Sequence, residues 1–263
     1  MSEMVRYLED QHAVVTGGSR GIGAAIAAEF VRRGARVTIM GRAADTLEEQ
    51  ARELRKINGA TVSVEACDVS DAESVANAFS RSASTLGPVQ ILVNNAGTAK
   101  SRLFAQTTRE IWDELIGVNL TGTFLCTSEV IPGMMKAKKG RIVNVASTAG
   151  LRGYKTMTAY CASKHGVIGL TRALAQETAK HGITVNAVCP SYTDTDLTSI
   201  AVKNIVSNLG KTADEAMRML TGVITRGTLI TVEEVASAVS WLCSPDASGV
   251  TGISLPIAGG EVQ

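Results

Sequence analysis

Two kinds of apolar pattern alternate along this chain. Short runs without period-two alternation recur at Ala13-Val14-Val15, Val37-Thr38-Ile39-Met40, Val62-Ser63-Val64, Ile91-Leu92-Val93, Ile142-Val143-Asn144-Val145, Val185-Asn186-Ala187-Val188 and Ile253-Ser254-Leu255. Strands apolar on both faces suit a parallel sheet covered on both sides. Between most of these runs lie stretches of helical period, such as Ile22, Ile26 and Phe30. The alternation predicts an α/β fold: a Rossmann-like, doubly wound parallel sheet of about seven strands, with helices on both faces and right-handed crossovers.

Gly34, Asn58-Gly59, Gly87-Pro88, Gly140 and Gly182 each stand between a periodic segment and the next apolar run, where a helix should stop. Residues 196–226 break the rhythm. They carry helical pattern, as in Ala213-Asp214-Glu215-Ala216-Met217-Arg218-Met219-Leu220, but no strand. An insertion there, past the carboxyl end of a sheet strand, predicts a small helical cap over the substrate. No linker divides the 263 residues, of which 45% are hydrophobic. Residues 1–263 are therefore read as a single dinucleotide-binding and catalytic domain, with 196–226 as a substrate-cap insertion within it.

Charge and cysteine content narrow the function classes. The net charge is +1, with no long run of one sign, so nothing points to a nucleic-acid partner. The densest basic stretch, Lys136-Ala137-Lys138-Lys139, reads as the solvated, dipole-favoured end of a helix. The five cysteines are odd in number and lack CxxC or metal-like spacing. They predict reduced thiols in a cytoplasmic protein, with no metal site. The N-terminus has no apolar h-region and no segment offers eighteen consecutive apolar residues, so neither secretion nor a membrane is expected.

Candidate chemistry lies at two places. Thr16-Gly17-Gly18-Ser19-Arg20-Gly21-Ile22-Gly23 follows the first strand and opens the first helix. Glycines there permit a tight turn and let backbone N–H groups approach a pyrophosphate at the helix N-terminus. The end of the second strand, where NAD-specific sites place a carboxylate on the ribose 2'-hydroxyl, here reads Met40-Gly41-Arg42. With no acid to repel a 2'-phosphate, and with Arg42 and Arg20 to bind one, the cofactor is read as NADP, NAD remaining open. The second place is Tyr160-Cys161-Ala162-Ser163-Lys164. A Tyr-x-x-x-Lys pair on a helix puts phenol and ammonium on one face, and a nearby cation lowers a phenol pKa from near ~10. Ser147, just past an apolar run, could hold a carbonyl oxygen against that phenol.

Together these residues resemble the short-chain dehydrogenase/reductase family, from about residue 10 to the C-terminus. The loop from Thr16 to Gly23 matches its fingerprint, Asn94-Asn95-Ala96-Gly97 its Asn-Asn-Ala-Gly motif, and Asn119, Ser147, Tyr160 and Lys164 its catalytic tetrad. The resemblance implies that Gly17, Ser19, Arg20, Gly21, Ile22 and Gly23 hold the cofactor's phosphates. It implies that Asp68 and Val69 contact the adenine, and that Asn95, Ala96 and Gly97 line the ribose region. Pro190, Thr193 and Thr195 would reach the nicotinamide carboxamide, and Lys164 its ribose. Tyr160 would pass a proton to or from the reacting oxygen, and Asn119 would anchor a water leading to Lys164. The family also implies a homotetramer, built through the helix carrying Tyr160 and the C-terminal segment. Two departures stand out: Ser191 replaces the glycine that usually follows Pro190, and Ala258 an aspartate.

The resemblance places the substrate wall at residues 98–104, 150–157 and 192–226. Leu151, Tyr154 and Met157 could pack an acyl chain, while Lys100, Arg102, Arg152 and Lys155 could meet a phosphate-bearing handle. The substrate is read as a small molecule, a 3-oxoacyl or 3-hydroxyacyl thioester on coenzyme A or a carrier protein. The alternative is a free cyclic, aromatic or steroid-like ketone or alcohol. A non-catalytic nucleotide-binding scaffold is more remote, since all four tetrad residues are present.

Overall fold

In the computed structural model, which describes residues 5–262, the seven apolar runs become seven strands of one sheet. Residues 1–4 and 263 of the single-domain span lie outside the described residues. The strands are β1 (His12–Thr16), β2 (Arg36–Gly41), β3 (Val62–Ala66), β4 (Ile91–Asn94), β5 (Gly140–Val145), β6 (Ile183–Pro190) and β7 (Ser254–Ile257). The helices are α1 (Gly21–Arg32), α2 (Ala44–Arg55), α3 (Ala72–Leu86), α4 (Arg109–Ile116), α5 (Gly122–Ala137), α6 (Thr158–Thr178), α7 (Asp196–Leu209), α8 (Ala213–Thr221) and α9 (Val232–Cys243). The spatial order is β3-β2-β1-β4-β5-β6-β7, and every neighbouring pair is parallel. Strand order reverses between β1 and β4, and the crevice at the carboxyl ends of such a switch point is where α/β sheets bind ligands.

Adjacent residues of one strand feed opposite layers, which is why period two is missing from the sequence. Val15 and Val143 pack with Ile26 and Phe30 of α1 and Val235 and Val239 of α9. Their neighbours Val14 and Ile142 pack on the other face with Phe79 of α3 and Cys126, Val130 and Met134 of α5. Each such side chain removed from water contributes about 1.5–3 kcal/mol.

Helix ends follow local chemistry. The Asp71 side chain accepts from the Ser74 N–H at 2.8 Å and caps α3, while Thr212 with Glu215 and Thr231 with Glu234 form capping boxes on α8 and α9. Gly34, Gly87 and Gly182 take left-handed backbone, as their helix-ending role requires. Gly140 has a different role: it is the first residue of β5, and α5 ends instead on left-handed Lys138. A Cβ on Gly140 would lie 2.5 Å from the Met134 sulfur, so close strand-helix packing requires the glycine. Residues 196–226 hold α7 and α8 but no strand of the sheet; just outside this span, Thr193 and Ile230 form an isolated parallel bridge.

The helical run Arg109–Ala137 is long and apolar enough, with a window of mean hydropathy 1.2, to cross a bilayer by composition alone. Here its residues Cys126, Val130 and Met134 pack inside the second core layer. All five cysteines are free and buried. Burial pushes the Cys67 and Cys189 thiols up to about 11, which keeps them protonated and inert.

Candidate active site

The turn after β1 admits backbone and nothing larger. Gly17 has a φ of 64°, and a Cβ on Gly23 would fall 2.2 Å from the Gly17 carbonyl oxygen. Helix α1 has no side-chain cap at Arg20 and no acid in its first turn. Its first N–H groups are therefore free for an anion, and the residues present fit a dinucleotide's pyrophosphate.

Thr16 and Asn95 hold this turn in shape. The Thr16 hydroxyl accepts from the backbone N–H groups of Asn95 and Ala96, each at 3.0 Å. Asn95 Nδ2 donates to the carbonyls of Thr16 at 2.9 Å and Gly17 at 3.1 Å. The Asn95 amide nitrogen thus braces the glycine turn from within, beside Ala96 and Gly97. Thr16 heads the fingerprint loop in the sequence, but its bracing of the Asn95 segment shows only in the structure.

At the adenine end, Arg42 is exposed just past β2. The Asp68 carboxylate accepts from the Ser70 N–H at 2.9 Å and its hydroxyl at 2.6 Å. These bonds, aided by Arg42, hold it below the usual carboxylate range. Val69 beside it is buried. Arg20 reaches the other way, its Nη1 lying 3.3 Å from Asp196 at the start of α7.

The predicted catalytic side chains come from three elements. Tyr160 and Lys164 share a face of α6. Lys164 is 5% exposed, donates from Nζ to the Val145 carbonyl at 2.8 Å, and lies 5.8 Å from the centre of the Tyr160 ring. Ser147 follows β5 and caps the single turn after it, its hydroxyl accepting from the Ala149 N–H at 3.1 Å. Burial pushes the Tyr160 phenol up to about 12, with Ser147 pulling the other way, and pushes Lys164 down to about 8. The expected lowering of the phenol by its lysine is therefore reversed. Loss of water acts on both groups, while the ammonium is aimed at a strand carbonyl. A protonated phenol at neutral pH is suited to giving a proton.

Asn119 lies in a wide helical turn of π geometry, Gly117–Thr121, between α4 and α5. Its Nδ2 donates to the Thr98 carbonyl at 2.9 Å and to Ser163 Oγ at 3.0 Å, and its Oδ1 accepts from the Thr98 N–H at 2.9 Å. The amide ties the loop after β4 to α6, with both Nδ2 protons in use and one acceptor site of Oδ1 taken by the Thr98 N–H. A Cβ on Gly97 would lie 3.2 Å from Asn119 Oδ1 and 3.7 Å from Lys164 Nζ, which brings these three residues together. Behind them runs a buried chain the sequence reading missed. Asn94 Nδ2 donates to Thr127 Oγ1 at 3.0 Å and Asn144 Oδ1 at 2.9 Å, and Asn144 Nδ2 to Thr171 Oγ1 at 2.9 Å. Asparagines inside apolar strands were its signal, since buried amides need partners.

After β6, the Ser191 N–H donates to the Ile257 carbonyl at 3.2 Å, without left-handed backbone. The serine therefore leaves the loop unstrained where the family carries glycine. Thr195 Oγ1 donates to the Thr193 carbonyl at 3.2 Å, and a Cβ on Gly21 would lie 3.3 Å from the Thr195 methyl, so this loop touches the glycine turn. Of the cations proposed for a substrate handle, Lys100 pairs with Glu114, and the Arg152 guanidinium lies 4.8 Å over the Tyr154 ring.

A family model described as short chain dehydrogenase matches residues 11–205. The chain is 39% identical over 249 residues to the acetoacetyl-CoA reductase of Rhizobium meliloti, covering 95% of this chain and 97% of that one. It is 38% identical over 254 residues to the 3-oxoacyl-(acyl-carrier-protein) reductase FabG of Vibrio harveyi, covering 96% and 98%. Among solved structures, a variant of actinorhodin polyketide ketoreductase with NADPH superposes with a TM-score of 0.92 at 36% identity, over 98% of this chain and 99% of that one.

Proposed function

Because this chain belongs to the short chain dehydrogenase family and is an NAD(P)-dependent oxidoreductase, we propose that it interconverts a 3-oxoacyl thioester and its 3-hydroxy counterpart with NADPH as hydride donor. One observation carries the reading: Ser147 and Tyr160 share the sheet edge that holds the free, glycine-lined start of α1. Bound there, the nicotinamide supplies a hydride to the carbonyl carbon. The α1 N–H groups hold the pyrophosphate, Arg42 receives a 2'-phosphate, and Lys164 holds ribose hydroxyls. Ser147 donates to the carbonyl oxygen, and Tyr160 gives that oxygen its proton as negative charge develops, or takes it back in oxidation.

Two relatives named for 3-oxoacyl and acetoacetyl-CoA substrates support the thioester, and a neighbour solved with NADPH supports the cofactor. The partner is thus a small molecule on coenzyme A or a carrier protein, met in the cytoplasm. The pairing of Lys100 with Glu114 favours a second reading, an uncharged free ketone that needs no cation at the mouth. We read the assembly as a homotetramer. Exposed Trp112 and Phe124, on α4 and α5, support self-association there, beside the α6 surface the family resemblance implies.

The test is NADPH and NADH oxidation against acetoacetyl-CoA, a longer 3-oxoacyl thioester and a neutral cyclic ketone. The expected result is a higher kcat/KM with NADPH, and a higher kcat/KM for thioester than for ketone. Preference for NADH overturns the cofactor assignment, and preference for the ketone the substrate assignment.

A further inference from the structure

The described chain closes on a carboxylate that the proposed chemistry does not use. After β7 the backbone turns through Gly259 and Gly260, with φ of 55° and 89°. Space and hydrogen bonds both fix this turn. A Cβ on Gly260 would lie 2.9 Å from that of Thr225, the Thr225 hydroxyl donates to the Gly260 carbonyl at 2.9 Å, and the Arg226 N–H donates to the Gly259 carbonyl at 2.9 Å. The turn brings Glu261 back over the carboxyl edge of the sheet.

There its two oxygens are taken by two different walls of the cleft. One accepts from the Tyr154 hydroxyl, the other from the Ser191 hydroxyl. Tyr154 lies in the segment just after Ser147, and its phenol oxygen is also 2.9 Å from Thr148 Oγ1. Since the phenol has one proton and the carboxylate can only accept, Thr148 must donate to Tyr154. Ser191 opens the loop after β6, and burial, aided by the Glu261 charge, raises the phenol of its neighbour Tyr192. Burial and the adjoining carboxylate both push the Tyr154 phenol above its ordinary value, so it stays a donor. A hydroxyl at position 191 can donate to this carboxylate; a glycine could not.

We infer that Glu261 is a positioning residue that clamps Tyr154, in the proposed substrate wall, to Ser191, in the loop proposed to meet the nicotinamide, and so fixes the width of the cleft beside Ser147 and Tyr160. The clamp rests on the proposed function only in naming what the two walls hold. Two hydroxyl donors on one carboxylate are charge-assisted bonds, stronger than neutral ones, and because they join the walls in series, losing either one lets the walls part.

The test is a double-mutant cycle of Glu261→Gln and Tyr154→Phe, followed both in steady-state kinetics and in the urea unfolding midpoint. With acetoacetyl-CoA and NADPH, Glu261→Gln should raise the substrate KM about fivefold while kcat changes less than about twofold, because the walls hold substrate and do not transfer the proton. The double variant should be no worse than Tyr154→Phe alone. Independent, multiplying effects on KM, or a KM left unchanged by Glu261→Gln, overturn the clamp. Should Glu261→Gln fail to fold, Ser191→Ala paired with Tyr154→Phe reads the same coupling across the bridge. If the wild-type chain turns over no thioester, the functional reading fails on its own, and the unfolding cycle still decides the clamp: coupled midpoints support it and additive ones overturn it.

Discussion

Tyr160 shows how far a motif and its surroundings can differ. Four-residue spacing on α6 does bring phenol and ammonium onto one face, but the 5.8 Å separation and the bond from Lys164 to Val145 leave burial as the dominant influence on both. The sequence made the pair legible, and could not reveal where the ammonium points, because a strand carbonyl leaves no mark in side-chain identity. Tyr160→Phe removes the proton donor and keeps the ring, so kcat should fall by about 10²–10⁴-fold while NADPH fluorescence titrations show unchanged binding. A second residue belongs to stability alone. His12 is fully buried in β1, with Nδ1 2.7 Å from the Gly87 carbonyl and Nε2 2.9 Å from Thr38 Oγ1. Burial holds its pKa below the ordinary 6.5. Below that value the unfolded chain takes up a proton that the folded one refuses, so stability falls as pH falls, with a slope approaching ~1.4 kcal/mol per pH unit for one proton. Urea midpoints at about pH 7.5 and about pH 5.5 check this, and His12→Gln should lose that part of the decline.

Among the elements, the strands were legible because burial on both faces writes continuous apolar runs, and every one of the seven runs lies within or overlaps a strand of the sheet. Helix ends were legible where glycine takes left-handed backbone, as at Gly34 and Gly182. They were misread at Gly140, where the glycine answers a packing demand from Met134, a residue distant from any turn signal. The π turn carrying Asn119 was invisible, since nothing in Gly117-Val118-Asn119-Leu120-Thr121 departs from ordinary helical composition; tertiary bonds to Thr98 and Ser163 hold that residue. The glycine turn was legible because its function needs missing side chains. Gly23→Ala would place a methyl 2.2 Å from the Gly17 carbonyl, a backbone group that cannot swing away. NADPH affinity should drop more than about tenfold, read by fluorescence titration, with far-UV circular dichroism retained.

For the whole molecule, the parallel sheet gathers seven chain reversals on one edge: the glycine turn, Arg42, Asp68, the Asn95 segment, Ser147, the Ser191 loop and the Glu261 tail. Phe124, in the first turn of α5, is 53% exposed. For the proposed tetramer, Phe124→Asp should shift the sedimenting species to smaller forms in analytical ultracentrifugation. Helices α7 and α8 stand apart from the seven-stranded scaffold, joined to its edge by the Thr193–Ile230 bridge and the exposed Arg20–Asp196 pair. In their proposed role as a substrate cap, that arrangement makes them a cassette: evolution can exchange the segment for another length or polarity and so change what the molecule acts upon, while the grip on the nucleotide and the proton-transfer machinery are inherited intact.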